Sequence, residues 1–263
     1  MATTSDQITP GGEHSSVCNP SYPLLPPELI AIVYDCLLAK RDLVTLGICG
    51  VLSQSHVTPI RKRLFSTISL RLHTQPRSVS IRDLVRRIKG LTTMFQRDEE
   101  SRTYTHTLEI LDSFPVYDSQ WITQQPCLPT LLDLFPNVRT CTFGCEVGYL
   151  DWGFFTPKLK TSLTHLFLSP HLKTLSLCNL GNMPTSLFDS AVSYLYLKNI
   201  TTLHHSPVTI NPSAVTLVRR LSYLNVQSMA MVNTESAWGV MQTHASSLKM
   251  IKLRVWEGML CYF

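Results

Sequence analysis

Apolar residues in the segment 25–70 follow a helical period in three short runs. The first run begins after the two prolines at 26–27, and Glu28 then complements the positive end of the helix dipole. Asp42 is placed to cap a second helix, and a third run ends in the strand-like sequence "STISL" at 66–70. Three helices in about 45 residues bury too little apolar surface for a robust domain. This unit therefore requires a partner or a packed neighbour.

From residue 100 onwards the chain carries an imperfect repeat, a short strand with apolar residues at L-x-x-L-x-L spacing. Alternating residues of such strands fill a shared interior while the others face outwards. The copies centre near positions 108, 141, 175, 195, 224 and 251, spaced by about 20–34 residues. They are 105–111, 138–143, 172–180, 192–200, 221–229 and 248–256.

A further leucine-rich segment at 163–169 lies too close to the next copy to be a full repeat. Apolar residues from Pro157 to Phe167 instead follow a helical period, so we predict a helix there. Alternation of strands with helices at this period predicts a stacked solenoid with a parallel sheet on its concave face. We predict helical or irregular returns at 80–90, 127–135, 157–168, 183–190 and 235–246.

The first segment resembles an F-box of the divergent kind found at the start of many fungal F-box proteins. Matching features are "LPPELI" at 25–30, the apolar run of the second helix, Ser53 and Ser55, and "RKRLFSTISL" at 61–70. The remainder resembles the irregular leucine-rich repeats that follow the F-box in such proteins. In these repeats a buried asparagine just after a strand can satisfy the backbone of the turn. Two copies carry such a residue, Asn179 and Asn199.

These patterns predict an α/β fold, a three-helix F-box-like module followed by a leucine-rich-repeat-type solenoid. We expect a disordered tail at 1–22, the module at 23–70 and the repeat domain at 71–263. Residues 259–263 are apolar where a solenoid needs a polar cap, and the last repeat ends just before them, so we expect the repeat array to be incomplete at its C-terminus. The chain starts without the basic and apolar regions of a secretory signal, and no apolar run is long enough to cross a bilayer. We therefore expect an intracellular protein, cytoplasmic or nuclear.

The resemblance implies a substrate-recognition subunit of a Skp–cullin–F-box ubiquitin ligase. Its F-box would dock on the Skp-type adaptor and through it reach a cullin, and its repeats would bind a target protein. Catalysis would belong to other subunits, so the resemblance implies no enzyme activity and no cofactor in this chain. The implied adaptor-binding edge consists of Leu25, Pro26, Leu29, Ile32, Leu37, Leu43 and Leu46.

His56 stands where family members usually carry tryptophan. This departure keeps a second hypothesis open, a repeat scaffold for protein interactions whose degenerate F-box has no ligase role. A third hypothesis rests on charge, because the net charge of +5 is concentrated between Arg61 and Lys89, with nine basic residues and one acidic residue. That stretch could bind an acidic ligand or nucleic acid. The helical period of its apolar residues at 81–88 favours a solvated helix face instead.

The sequence contains none of the glycine-rich, nucleophile-elbow or zinc-protease motifs that assign a reaction. A doubly wound α/β enzyme would need a phosphate-binding loop after its first strand, and none is present. We interpret His204 and His205 as a solvated loop pair, and the acidic run at 98–100 as a solvated turn. The eight cysteines are expected to be free thiols, with Cys141 and Cys145 in the core rather than on a metal.

Overall fold

The computed structural model describes residues 26–40, 42–52, 54–71, 80–112, 121–184, 186–187, 192–202, 221–228 and 247–255. Several sequence-based expectations lie outside these residues. They are the tail at 1–22, the pair His204 and His205, the return at 235–246 and the apolar residues at 259–263.

The chain begins with three short helices around a small core of their own. Three apolar side chains, Tyr34, Leu46 and Ile60, are buried at its centre, and half-buried residues such as Ile30 and Leu64 surround them. This confirms the three predicted helices and their small core. They are α1 (Pro27–Ala39), α2 (Leu43–Leu52) and α3 (Gln54–Ser66).

A parallel sheet forms the larger part of the structure. Within the described residues it has eight strands in the order β1-β2-β3-β5-β6-β7-β8, and β4 pairs with β5. All six predicted strand copies are strands of this sheet. The segment "STISL", which we assigned to the end of the first unit, supplies its first strand. The strands are β1 (Thr67–Arg71), β2 (Thr107–Asp112), β3 (Thr140–Cys145), β4 (Leu150–Asp151), β5 (Thr174–Met183), β6 (Tyr194–Thr202), β7 (Tyr223–Ser228) and β8 (Met250–Val255).

One register runs across the first part of the sheet's long strands, and the pairing of β5 with β6 shifts only between Leu180 and Met183. The six positions that the sequence predicts as strand centres are direct partners of one another, and Ile68 of β1 joins the same row. The residues two positions further along form a second buried row, including Ile110, Phe143 and Leu177. The first row is Ile68, Leu108, Cys141, Leu175, Leu195, Leu224 and Ile251, and all but Ile251, which is 46% exposed, are buried.

Helices cover the side of the sheet to which these rows point, and together they form one apolar core. The predicted helix from Pro157 is confirmed, and the return at 183–190 is described only in part. The prediction for 80–90 was too short, because the buried stripe continues through Thr92 and Phe95 past the exposed Gly90. The helices are α4 (Ile81–Arg97), α5 (Glu99–Arg102), α6 (Trp121–Gln124), α7 (Cys127–Leu132) and α8 (Pro157–Phe167).

Asparagines connect the ends of neighbouring strands. Asn179 is buried, and its Nδ2 donates to the carbonyl of Cys145 at 2.6 Å. Its Oδ1 accepts from Nδ2 of Asn199 at 2.7 Å. Both asparagines have φ near +50°, a conformation that asparagine adopts more easily than most residues. The expectation that a buried asparagine satisfies the turn is therefore confirmed for Asn179, while Asn199 extends the chain of hydrogen bonds to β6.

Replacing Asn179 with alanine should lower the free energy of unfolding by about 2 kcal/mol, because a buried carbonyl loses its donor and alanine is strained at positive φ. Asn182→Ala is the matched control, since Asn182 has the same φ of 52° but is exposed and donates to Asp151 Oδ2. Chemical denaturation of both variants measures the difference. Equal losses in the two variants would show that backbone strain alone explains the effect.

Candidate interaction surfaces

Helix α1 is apolar on two sides, and only one of them is buried. Ile30, Tyr34 and Leu37 pack into the core of the three-helix unit. The other side carries Leu29 and Ile32, which are 47% and 57% exposed, together with Val33. Residues at this spacing lie along one stripe of a helix, so α1 presents a continuous apolar stripe to solvent.

Helix α2 shows the same division. Asp42 caps it as predicted, accepting from the Thr45 backbone N–H at 3.0 Å and from the Thr45 hydroxyl at 2.7 Å. These hydrogen bonds hold the pKa of Asp42 below its ordinary value of 3.8. Leu46 is fully buried, whereas Val44 is 75% exposed and Ile48 is also exposed. The two helices pack against each other, and we call their exposed residues Leu29, Ile32, Val33, Val44 and Ile48 the aliphatic surface.

The structure separates the residues of the implied adaptor-binding edge. Pro26, Leu29 and Ile32 are exposed and available to a partner. Leu46 does not belong to an exposed edge as we expected: it is fully buried between the helices and supports the fold. Leu37 is half-buried against the same core. Leu25 and the side chain of Leu43 lie outside the described residues.

Sequence reasoning missed Val33, Val44 and Ile48. Both helices are apolar on almost every side, so periodicity alone does not indicate which side faces the core. The spacing Leu29–Ile32–Val33 and Val44–Ile48 was the available signal, since each set shares one helix face.

His56 takes part in the packing between α1 and α3. Its ring lies edge-on to Tyr34, with centroids 6.1 Å apart and planes at 77°. The guanidinium of Arg63 lies over the same Tyr34 ring at 5.7 Å, and its Nε donates to Asp35 at 2.6 Å. The histidine therefore occupies an aromatic contact within this unit and is half-buried there.

Polar contacts join the three-helix unit to the rest of the chain. Arg61 of α3 forms an ion pair with Asp98 at 3.0 Å, and Lys62 Nζ lies 5.6 Å from the centroid of the Tyr104 ring. The acidic run at 98–100 is not the solvated turn expected, because Asp98 caps the short helix α5 through Ser101. Hydrogen bonds from the Ser101 hydroxyl and backbone lower the pKa of Asp98, and Arg61 adds to this effect.

The basic residues of the stretch at 61–89 fall into two groups, those in ion pairs and those that face solvent. Arg61, Arg63 and Arg71 are engaged in ion pairs with carboxylates of other elements. On α4 the basic side chains face solvent while Leu84 and Ile88 are buried, which confirms the solvated helix face. These exposed residues are Arg82, Arg86, Arg87 and Lys89.

The second surface is the side of the sheet opposite the helices, which we call the open face. Its side chains alternate with the buried rows, and in β1–β5 they begin with a row of threonines, Thr67, Thr107, Thr140 and Thr174. Near the other end of β1 and β2, Arg71 lies 3.3 Å from Glu109 and 3.4 Å from Glu146. The acidic residues of this part are therefore paired with arginine.

The composition of the open face changes over β6–β8. In the row of the threonines, β6 and β7 carry Tyr194 and Tyr223 and β8 carries Met250. The centroid of the Tyr223 ring lies 6.2 Å from that of Tyr194 and 5.3 Å from that of Tyr196. Lys198 of β6 and Lys252 of β8 are exposed on the same face. We call these three tyrosines and two lysines the tyrosine–lysine patch. Sequence reasoning missed it, although the pattern "YLYLK" at 194–198 alternates in the required way.

The cysteines of the described residues are thiols, as expected. Burial raises the pKa of Cys141 to about 12 and that of Cys145 to about 11, so both thiols stay protonated in the core. Among the residues that the structure describes, no cluster of histidine, cysteine and carboxylate side chains could hold a metal ion. No helix in this part of the chain is long and apolar enough to span a membrane.

Comparison of the chain with protein-family models, with curated proteins and with solved structures found no match in any of the three. Its function must therefore be inferred from the two surfaces themselves.

The ionisation of Asp98 should make the junction sensitive to acid. Its folded-state pKa lies below the ordinary value of 3.8, so its contribution to stability is present above that value and is lost as the pH falls through the folded-state pKa. Asp98→Asn keeps a capping side chain but removes its negative charge, which weakens the hydrogen bonds to Ser101 and the ion pair with Arg61, so the variant should be less stable at pH 7 by about 1 kcal/mol. Melting curves between pH 7 and pH 3 should show this difference shrinking.

Asp83→Asn serves as the control, because its carboxylate is more exposed, accepting from Ser80 and pairing with Arg86 on the same helix, and its loss should change the melting temperature much less. A difference for Asp98→Asn that stays constant down to pH 3 would contradict the assigned role of its carboxylate.

Proposed function

We propose that the chain is a non-catalytic, substrate-recognition subunit of a Skp–cullin–F-box ubiquitin ligase. Its first three helices form an F-box-like module, and the sheet with its helices forms a leucine-rich-repeat-type solenoid. The observation that carries the proposal is the aliphatic surface on α1 and α2, exposed on a unit whose own core is small. The intracellular location expected from the sequence, cytoplasm or nucleus, belongs to the same proposal.

Burial of this surface by a partner would be energetically favourable. Burying one fully exposed leucine, isoleucine or valine side chain stabilises a complex by about 1.5–3 kcal/mol. Monomeric soluble proteins rarely expose such residues in continuous patches. Five of them, including the 75% exposed Val44, lie on two adjacent helices here. The Skp-type adaptor that the F-box resemblance implies would bury them.

The larger unit supports the proposal through its regular repeat. Each leucine-rich strand enters the sheet in the same register, helices cover one side, and asparagines close the strand ends. This leaves the other side as an open face, which would hold the target protein of the ligase.

The packing of His56 keeps the scaffold as a second candidate. The ring fills an aromatic contact with Tyr34, so the three-helix unit folds with histidine at this position. A unit that folds but has lost its adaptor would leave only the open face as an interaction surface, and the protein would then be a repeat scaffold without a ligase role.

The experiment is a pull-down and titration with a purified Skp-type adaptor. Wild-type protein should bind it, and Ile32→Ala with Val44→Ala should weaken binding by at least about tenfold, because both side chains are desolvated in the complex. The matched control is Val147→Ala with Leu168→Ala, which truncates two exposed aliphatic residues outside the three-helix unit and should leave the affinity unchanged.

Leu46→Ala distinguishes packing from contact. It should lower the melting temperature by removing a buried side chain, whereas the Ile32 and Val44 substitutions should not. An adaptor that binds the Ile32 and Val44 double variant as tightly as wild type would disprove the proposed docking surface. Failure of the wild-type protein to bind any Skp-type adaptor would favour the scaffold.

A further inference from the structure

We infer that the tyrosine–lysine patch binds an acidic, aromatic-containing segment of a partner protein. The patch consists of Tyr194, Tyr196, Tyr223, Lys198 and Lys252 on the open face. That the segment belongs to a ligase target rests on the proposed function, whereas binding itself requires only the patch.

The tyrosines supply a preformed apolar platform. The rings of Tyr194 and Tyr196 each lean against Tyr223 at 43°, so the three side chains hold one another in place. Tyr194 is still 46% exposed, and Met250, its neighbour in the same row, is 59% exposed. Rigid tyrosines bury much area with little loss of side-chain entropy, which is why they are common in binding surfaces.

The positive charge of the patch favours an acidic partner. The sequences of β5 to β8 contain no aspartate or glutamate, while Lys198 and Lys252 extend from β6 and β8. The register places Lys252 in the same row as Tyr196 and Lys198 one row further along the strands, and the two lysines stand two strands, about 10 Å, apart across the sheet. A segment with carboxylates next to an aromatic or aliphatic residue matches this arrangement.

The rest of the open face sets the extent and orientation of the segment. At this end Glu109 and Glu146 both pair with Arg71. Their carboxylates disfavour a continuous acidic chain or a phosphate backbone here. Single-stranded nucleic acid also needs rings spaced for successive bases, whereas these tyrosines contact each other. A protein segment that is acidic only over β6–β8 satisfies both observations.

The probe is a fluorescent ten-residue peptide of eight glutamates around two central phenylalanines, titrated into the full chain and followed by anisotropy. Wild-type protein should bind it, and binding should weaken as the sodium chloride concentration is raised.

Lys198→Glu with Lys252→Glu should reduce the affinity by about tenfold or more. Arg87→Glu with Lys89→Glu on α4 changes the net charge equally at two exposed sites and should leave the affinity within about twofold. Tyr194→Ala should also weaken binding, and melting curves establish that each variant is folded.

The inference would be overturned if the peptide did not bind, or if both charge-reversal variants lost the same affinity for it. Tighter binding of a ten-nucleotide oligothymidine would also overturn it. So would self-association of the wild type that Lys198→Glu with Lys252→Glu abolishes. Adaptor binding is measured on the same samples. A chain that binds the adaptor but not the peptide refutes this inference alone, and one that binds the peptide but not the adaptor refutes only the ligase role.

Discussion

The in-register pairing of parallel strands is the constraint on which the larger unit depends. Side chains alternate between the two sides of a sheet, so a shift by one residue would expose Leu195 and bury Tyr194 and Tyr196. The register is fixed at both ends of the strands. At the start, two successive backbone N–H groups donate to one carbonyl of the previous strand, as Lys173 and Thr174 do to Arg139. At the end, the asparagine chain joins β6, β5 and the last residue of β3. The open face exists because this register holds.

The two surfaces belong to units of different kinds, and α3 connects them. It ends at Ser66, and β1 begins at the next residue, so the small unit is continuous with the first strand of the sheet. Side-chain contacts of Arg61 and Lys62 reinforce the connection. A small core with an exposed aliphatic surface is suited to permanent burial by a partner, while a polar open face with local aromatic and basic residues is suited to selective, salt-dependent recognition.

Much of the fold could be predicted from the sequence because its signals are local. Leucine spacing gave the strand centres, and the phase of Leu159, Leu163 and Leu166 gave α8. The side of α1 and α2 that faces solvent could not be predicted, since both helices are apolar nearly all round and only tertiary packing buries Leu46. The tyrosine–lysine patch was missed for a related reason: its residues come from three strands about 30 positions apart in sequence, which become neighbours only through the register.

Hydrogen exchange with mass spectrometry on the complex with a purified Skp-type adaptor locates the adaptor-binding surface. We expect slower exchange in peptides covering α1 and α2, because the adaptor would bury their aliphatic surface and suppress local opening. Exchange in β5 to β8 should be unchanged, leaving the open face free for a second partner. Protection confined to the sheet, or a complex in which α1 and α2 exchange as fast as in the free protein, would contradict the assignment of the aliphatic surface to the adaptor.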